Sequence, residues 1–278
     1  MGKTLSPLRY PGGKSQLSRR VAELIRHNHF QDHIYVEPFA GGFGVGLYLL
    51  DRRCVNHAIL NDSDRHVYHF WDAALHRADE LERLIRTTPI SLEERARQKA
   101  IYAEADADPL EDGFATLYLN RVNYSGVLFA GPIGGKEQKS GYKLDCRFHK
   151  EDIIRRVRLV SSLRDRIELF HMDASALITQ ELPADQAYFL NMDPPYVLKG
   201  KSLYAEYFTE AEHRAFGQTV QEHLAESPWI ITYDNSTLVR EIYADYTIRE
   251  FELYHSAHDR AKGTELLITN LPEDDLVW

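Results

Sequence analysis

The chain places an acid, two prolines and an aromatic ring in succession, Asp193-Pro194-Pro195-Tyr196, directly after the largely apolar run Tyr188-Phe189-Leu190-Asn191-Met192. Such a run reads as a short buried strand. Two consecutive prolines cannot continue a strand ladder, so the strand must end there. The acid is thereby fixed at a strand's carboxyl end, the edge of an open α/β sheet where ligands bind. A proline ring nitrogen brings no competing N–H, so a carboxylate and a carbonyl facing one cavity can accept both hydrogens of an amino group. A neighbouring tyrosine can stack on a flat ring. Asp193, Pro194 and Tyr196 therefore suit a planar heterocycle bearing an exocyclic amine. Taken alone, the tetrapeptide reads equally well as a strand running into an exposed proline turn.

A second motif shifts that balance. Ile34-Tyr35-Val36-Glu37 reads as a strand, Pro38-Phe39-Ala40-Gly41-Gly42-Phe43-Gly44-Val45-Gly46 as a glycine-rich turn, and Leu47-Tyr48-Leu49-Leu50 as an apolar helix start. Glycines let backbone approach a ligand closely beside a helix N-terminus. The next strand, Ala58–Asn61, ends at Asp62. In nucleotide-binding βαβ units an acid about 20 residues past the glycine turn bonds ribose hydroxyls. A packing turn beside a surface aspartate explains either feature alone but poorly explains both at this spacing. A third element, Leu8-Arg9-Tyr10-Pro11-Gly12-Gly13-Lys14-Ser15, contains the end of a phosphate loop, but that motif needs glycine where Leu8 stands. A nucleoside triphosphatase reading therefore fails. Lys14 is left to meet a carboxylate and Tyr10 to cover a ring.

Tyr10-Pro11-Gly12-Gly13-Lys14, then Glu37-Pro38-Phe39-Ala40-Gly41-Gly42, then Asp193-Pro194-Pro195-Tyr196, in this order, resemble the Dam-type (D12 class, alpha group) DNA adenine-N6 methyltransferases. The similarity extends to Asn120-Arg121-Val122-Asn123-Tyr124-Ser125-Gly126, to Tyr207-Phe208-Thr209 with His213, to Thr232-Tyr233-Asp234-Asn235 and to the stretch around Glu265-Leu266-Leu267. The resemblance implies a Rossmann-like methyltransferase fold and S-adenosylmethionine as methyl donor, with Tyr10, Lys14, Phe39, Gly41, Asp62 and Asp193 lining its site. It implies double-stranded DNA as partner and catalysis by Asp193, Pro194 and Tyr196, without a metal. One departure stands out. The family loop is often Phe-x-Gly-x-Gly, and Phe43 occupies the last glycine's slot with Gly44 behind it, so a loop shifted by one residue is expected.

The mechanism that follows needs no covalent intermediate. Adenine's exocyclic amine is a poor nucleophile because its lone pair is delocalised into the ring. Asp193 and the Pro194 carbonyl would accept its hydrogens, and Tyr196 would stack on a base flipped from the duplex. Asp173 is a candidate for the cofactor's adenine and equally for a helix N-cap. Other classes compete. RNA adenine or other amino-group N-methyltransferases could use the same corner, although glutamine-modifying enzymes typically have Asn, and cytosine-N4 enzymes Ser, at the Asp193 position. A nicotinamide dehydrogenase leaves the Asp-Pro-Pro-Tyr corner unexplained.

Net charge is −9, awkward for a DNA-binding protein, but its distribution matters more. Arg121 to Arg166 holds eleven Lys or Arg against five Asp or Glu, interleaved with Tyr124, Phe129, Tyr142 and Phe148. Arg121, Asn123, Tyr124, Lys136 and Lys139 are the candidate DNA contacts, although Arg155 to Arg166 alone reads better as a solvated helix face. Cys54 and Cys146 give neither a disulfide framework nor a zinc pattern, and neither follows a proline as the cytosine-C5 nucleophile does. No apolar run approaches a membrane span. The expected setting is the cytoplasm of a prokaryotic host, chromosomal or phage-encoded, and the expected assembly a monomer, with a dimer as the alternative.

Strands are expected at 34–37, 58–61, 167–170, 188–192, 229–232, 247–253 and 265–269, and helices near 15–28, 64–78, 92–105, 150–162, 209–225 and 237–243. Their alternation predicts an α/β, doubly wound, mostly parallel sheet, with the last two strands as an antiparallel edge. Residues 64–122 read as almost wholly helical. The expected division is a catalytic domain from 1–63 and 163–278, with a smaller helical and loop target-recognition insertion at 64–162.

Overall fold

The computed structural model describes residues 4–9, 14–183, 185–197, 208–254 and 262–278. Among these, one sheet is built from β1 Ile34–Glu37, β2 Ala58–Asn61, β3 Ile167–Phe170, β4 Tyr188–Met192, β5 Trp229–Asp234, β6 Thr247–Tyr254 and β7 Lys262–Thr269. The helices are α1 Ser18–His27, α2 Gly44–Asp51, α3 Arg65–His76, α4 Ala78–Thr87, α5 Leu92–Ala103, α6 Pro109–Val122, α7 Lys150–Ser162, α8 Glu210–His223 and α9 Thr237–Ile242. The strand order is β3-β2-β1-β4-β5-β7-β6. β1 to β5 are mutually parallel, and β7 runs antiparallel to both β5 and β6.

The central strands read as continuous apolar runs because both faces are covered. Side chains alternate across the sheet. Tyr35, Leu60, Phe189, Ile230 and Leu267 face one core, and Val36, Ile59, Leu190, Ile231 and Leu266 the other. The last two strands form the antiparallel edge, as expected, with β7 entering between β5 and β6 so that β6 is outermost. Leu266, Leu267 and Ile268 are fully buried and need cover on both faces and both flanks, whereas β6 carries Arg249 and Glu250 and tolerates an edge.

The helical stretch after β2 breaks where its prolines stand. Pro109 lies in the first turn of α6, and the Asp108 side chain caps the helix by accepting from Leu110 N and Glu111 N. The helices of the insertion do not form a core apart from the sheet. Phe70 and Trp71 of α3, Leu117 of α6 and Val157 of α7 share one cluster with Leu47 and Leu60.

Candidate active site

The strand order reverses between β1 and β4, which are neighbours, and ligand crevices of open α/β sheets form at such a switch point. Glu37 ends β1 and Asp193 follows β4, so the sequence motifs converge there. The Asp193 carboxylate accepts from Thr232 Oγ1 of β5 at 2.8 Å and from Lys14 Nζ, 3.0 Å from Oδ1 and 3.1 Å from Oδ2. Lys14 also donates to the Tyr196 hydroxyl at 2.6 Å, and that hydroxyl donates to Glu265 Oε2 at 2.8 Å. Glu265 lies 3.5 Å from Lys14 Nζ. Lys14 thus meets two carboxylates of its own chain. Glu265 reaches the site because β7 is antiparallel, which brings the start of that strand to the carboxyl edge of the others, opposite Asp234.

Among the described residues nothing donates to the Pro194 carbonyl, which leaves an acceptor next in the chain to Asp193, whose oxygens are held by Lys14 and Thr232. Tyr196 differs from expectation. Its ring is only 6 % exposed and its hydroxyl is anchored at both ends, so stacking on a base requires its cover to move. Tyr10 lies outside the described residues. Phe39 is half-buried and meets Phe208 and Phe216 edge-on, at centroid distances of 6.0 and 5.2 Å, forming an aromatic wall beside the glycine turn.

Asp62 is buried and organises that turn. Its Oδ2 accepts from Gly41 N at 2.8 Å and its Oδ1 from Asp64 N at 3.0 Å. Trp71 Nε1 donates to Gly41 O at 2.9 Å, and Asn61 Nδ2 donates to Pro38 O and Met172 O, tying the ends of the central strands together. Phe43 adopts the left-handed conformation, φ 44°, in the slot where a glycine was expected. Such backbone costs a non-glycine residue roughly 1–2 kcal/mol. Burial of the ring, packed edge-on against Trp71 at 5.9 Å, offsets it. The Phe43 ring also explains Gly46, where an added Cβ would stand 2.2 Å from Phe43 Cε2. Gly46→Ala is expected to destabilise the fold by about 1–3 kcal/mol through overpacking, read as a lower urea midpoint. An unchanged midpoint would contradict this packing. Asp173 took the capping role, accepting from Ser175 N and Ala176 N.

Glu37 is a strongly perturbed acid. Burial pushes its carboxyl up to about 8, opposed by hydrogen bonds from Tyr35 and from Gly46 N and assisted by the charge of Asp193. The folded protein keeps this proton at neutral pH, while the unfolded chain loses it near pH 4 (roughly the ordinary Glu value). Between those values the folded state binds more protons, so stability falls as pH rises towards about 8 and the fall stops above it. Glu37→Gln keeps an acceptor for Tyr35 and Gly46 and cannot ionise. Its stability relative to wild type is expected to rise across this window by up to about 1.4 kcal/mol per pH unit. Parallel pH profiles for the two proteins, from urea unfolding, would exclude this assignment.

The candidate DNA contacts divide into two groups. Arg121 and Asn123 are buried and hold backbone: Arg121 donates to Pro7 O, and Asn123 Nδ2 donates to Leu128 O at 2.7 Å. Burial and the neighbouring Arg156 and Arg9 bring the Arg121 guanidinium down to about 9. Both side chains are turned inward and hold backbone carbonyls of neighbouring segments. Tyr124, Lys136 and Lys139 are exposed, with Lys139 paired to Glu137. The exposed large hydrophobics among the described residues, Tyr124, Phe129 and Tyr142, all lie in this loop segment. Further along, Arg155 and Arg156 pair with Asp152, Arg158 with Glu82, and Arg166 donates to the carbonyls of Leu50, Val55 and Asn56. The positive charge left for a partner is therefore concentrated before α7.

The chain belongs to the D12 class N6 adenine-specific DNA methyltransferases, whose family model matches residues 10–260. It is therefore a DNA adenine methyltransferase. The Type II methyltransferase M.MjaIII of Methanocaldococcus jannaschii is 25% identical over 203 residues, 68% of each chain. The crystal structure of the methyltransferase domain of bacterial CtHen1-CN overlaps 93% of this chain and 100% of its own at 10% identity and a TM-score of 0.40. That overlap is loose, and the fold assignment rests on the strand order instead.

Proposed function

We propose that this chain transfers the methyl group of S-adenosylmethionine to N6 of an adenine flipped out of duplex DNA at a specific site. The observation that carries this reading is the Asp193 carboxylate held by Thr232 and Lys14 beside the open Pro194 carbonyl, at the switch point and next to the Asp62-tied glycine turn. These residues fit the methyl donor. Asp62 is a buried carboxylate facing a left-handed turn, suited to ribose hydroxyls, with Gly41 for close backbone approach and Phe39 for an aromatic wall. Tyr10 and Lys14 would complete that site. The donor supplies an activated sulfonium methyl group. The chain's own residues position the amine: Asp193 and Pro194 O accept its two hydrogens and favour a tetrahedral nitrogen, and fixed geometry does much of the remaining work. Flipping costs a few kcal/mol of stacking and pairing, offset by contacts of the exposed aromatic and basic loop.

DNA recognition is assigned to the segment 121–149, with phosphate contacts from Lys136 and Lys139. A Lys136/Lys139 double alanine variant should bind all duplexes more weakly and flatten the salt dependence of log K by about 1–2. An unchanged slope would move phosphate binding elsewhere. The type II relative extends the proposal to the protective half of a restriction-modification pair, acting in the cytoplasm as a monomer. Among the described residues no helix is long and apolar enough to cross a membrane. Labelled methyl transfer offered in parallel to duplex DNA, RNA and protein tests the substrate. Label confined to DNA supports the proposal, and label in RNA or protein alone rejects it.

A further inference from the structure

The backbone just ahead of the Tyr10–Lys14 motif is held in an unusual way. Among the described residues, 4–9 make no backbone–backbone hydrogen bonds. Side chains of the insertion hold them instead. Asn120 grips Arg9 at two points, with Oδ1 accepting from Arg9 N at 2.7 Å and Nδ2 donating to Arg9 O at 3.0 Å. Arg121 donates to Pro7 O, and Arg156 Nη1 donates to Ser6 O at 2.8 Å. The same Asn120 Nδ2 donates to Gly126 O at 2.9 Å, so one buried amide joins the candidate cofactor segment to the first turn of the recognition loop.

That turn is tense and close-fitting. Ser125 sits at φ 55° and Gly126 at φ 81°, both left-handed. A Cβ on Gly126 would stand 2.3 Å from Arg9 O, so the two backbones touch. Tyr124, next in the turn, is 47 % exposed and faces any partner of the loop. A packed contact of this kind transmits displacement because neither side can yield alone.

We propose that Asn120 is a positioning residue that couples the two substrates: DNA seated on the 124–126 turn sets the backbone of Arg9, which lies shortly before Lys14 in the chain, and thereby the affinity for the methyl donor. The inference rests on the proposed function, since it needs a donor site and a DNA site. Coupling is reciprocal and typically amounts to about 5–150-fold.

The test measures affinity for S-adenosylhomocysteine by calorimetry, with and without a saturating duplex that carries the methylation site mapped with wild-type enzyme. Wild type is expected to bind about tenfold tighter with the duplex. Asn120→Ala should bring that ratio to within about twofold of unity. Loss of structural support alone would weaken both affinities and leave their ratio intact. Gly126→Ala breaks the same seam from the other side with Asn120 present, and should also lose the ratio. Gly131→Ala, in the same loop but with open space at its Cβ, should keep it. Circular dichroism and urea midpoints confirm that each variant is folded. A tenfold ratio retained by Asn120→Ala and Gly126→Ala, or a ratio near one in wild type, overturns the coupling and leaves the proposed function standing. Wild type that methylates no DNA or binds no S-adenosylhomocysteine overturns both.

Discussion

Asp193→Ala is expected to lower the single-turnover rate of methyl transfer by about 10³-fold or more, at the upper part of the range for a positioned proton-accepting group. In the proposed mechanism the carboxylate is the charge that meets the target nitrogen as it becomes cationic. Without it, Lys14 keeps Glu265 and Tyr196 but loses one of its carboxylates, and the local charge turns against the transition state. The fold should survive. Thr232 Oγ1 loses its acceptor, but the Lys14 ammonium keeps two partners, so the expected stability loss is about 1–3 kcal/mol. DNA affinity should be retained because phosphate contacts do not involve this corner. Asp193→Asn should restore shape but not rate, since its amide would point hydrogens at Lys14 or at the incoming amine. Turnover by the alanine variant within about tenfold of wild type would remove Asp193 from the mechanism.

The second large effect is on donor binding. Asp62→Ala should weaken S-adenosylmethionine by about 10–100-fold, corresponding to the loss of one or two hydrogen bonds to a charged group. The structure adds a second route to the same loss. Asp62 also holds Gly41 N and Asp64 N, so its removal frees the turn that approaches the ligand and weakens the start of α3, where Asp64 accepts from His66 N. Asp62→Asn keeps one acceptor oxygen for Gly41 N and should fall between the two. Calorimetry giving the wild-type affinity for Asp62→Ala would refute the assignment of Asp62 as the ribose anchor.

The positions of the central elements were legible from sequence for a physical reason. β1, β2 and β4 are buried along nearly their whole length, so each is a short, largely apolar run, and each stops where Pro or Asp follows. Contiguous motifs were legible for the same reason. Asp193-Pro194 and Gly41 with Asp62 meet because a parallel sheet brings strand ends to one edge. Residues delivered by long-range topology were not foreseen as parts of the site. Glu265 needs β7 to insert between β5 and β6, and Trp71 and Thr232 enter only through packing across the sheet. Asn120 belongs to a motif visible in the sequence, yet its grip on Arg9 is not encoded in any spacing. Charge was a partial guide. It marked a segment rich in Lys and Arg but did not separate the inward-facing Arg121 and Asn123 from the exposed Lys136 and Lys139, because polarity does not report whether a backbone carbonyl waits inside. Phe43 broke a local rule by taking left-handed backbone, and its ring found a buried place against Trp71.

The central claim is that the Asp193 corner methylates the exocyclic amine of adenine in DNA. The measurement that tests it most directly is mass spectrometry of nucleosides from duplex DNA incubated with the purified protein and S-adenosylmethionine carrying a deuterated methyl group. N6-methyladenine bearing the deuterated methyl group, absent with Asp193→Ala, is the predicted result. Labelled N4-methylcytosine in its place, or DNA free of label while the protein is folded and binds the donor, would contradict the account.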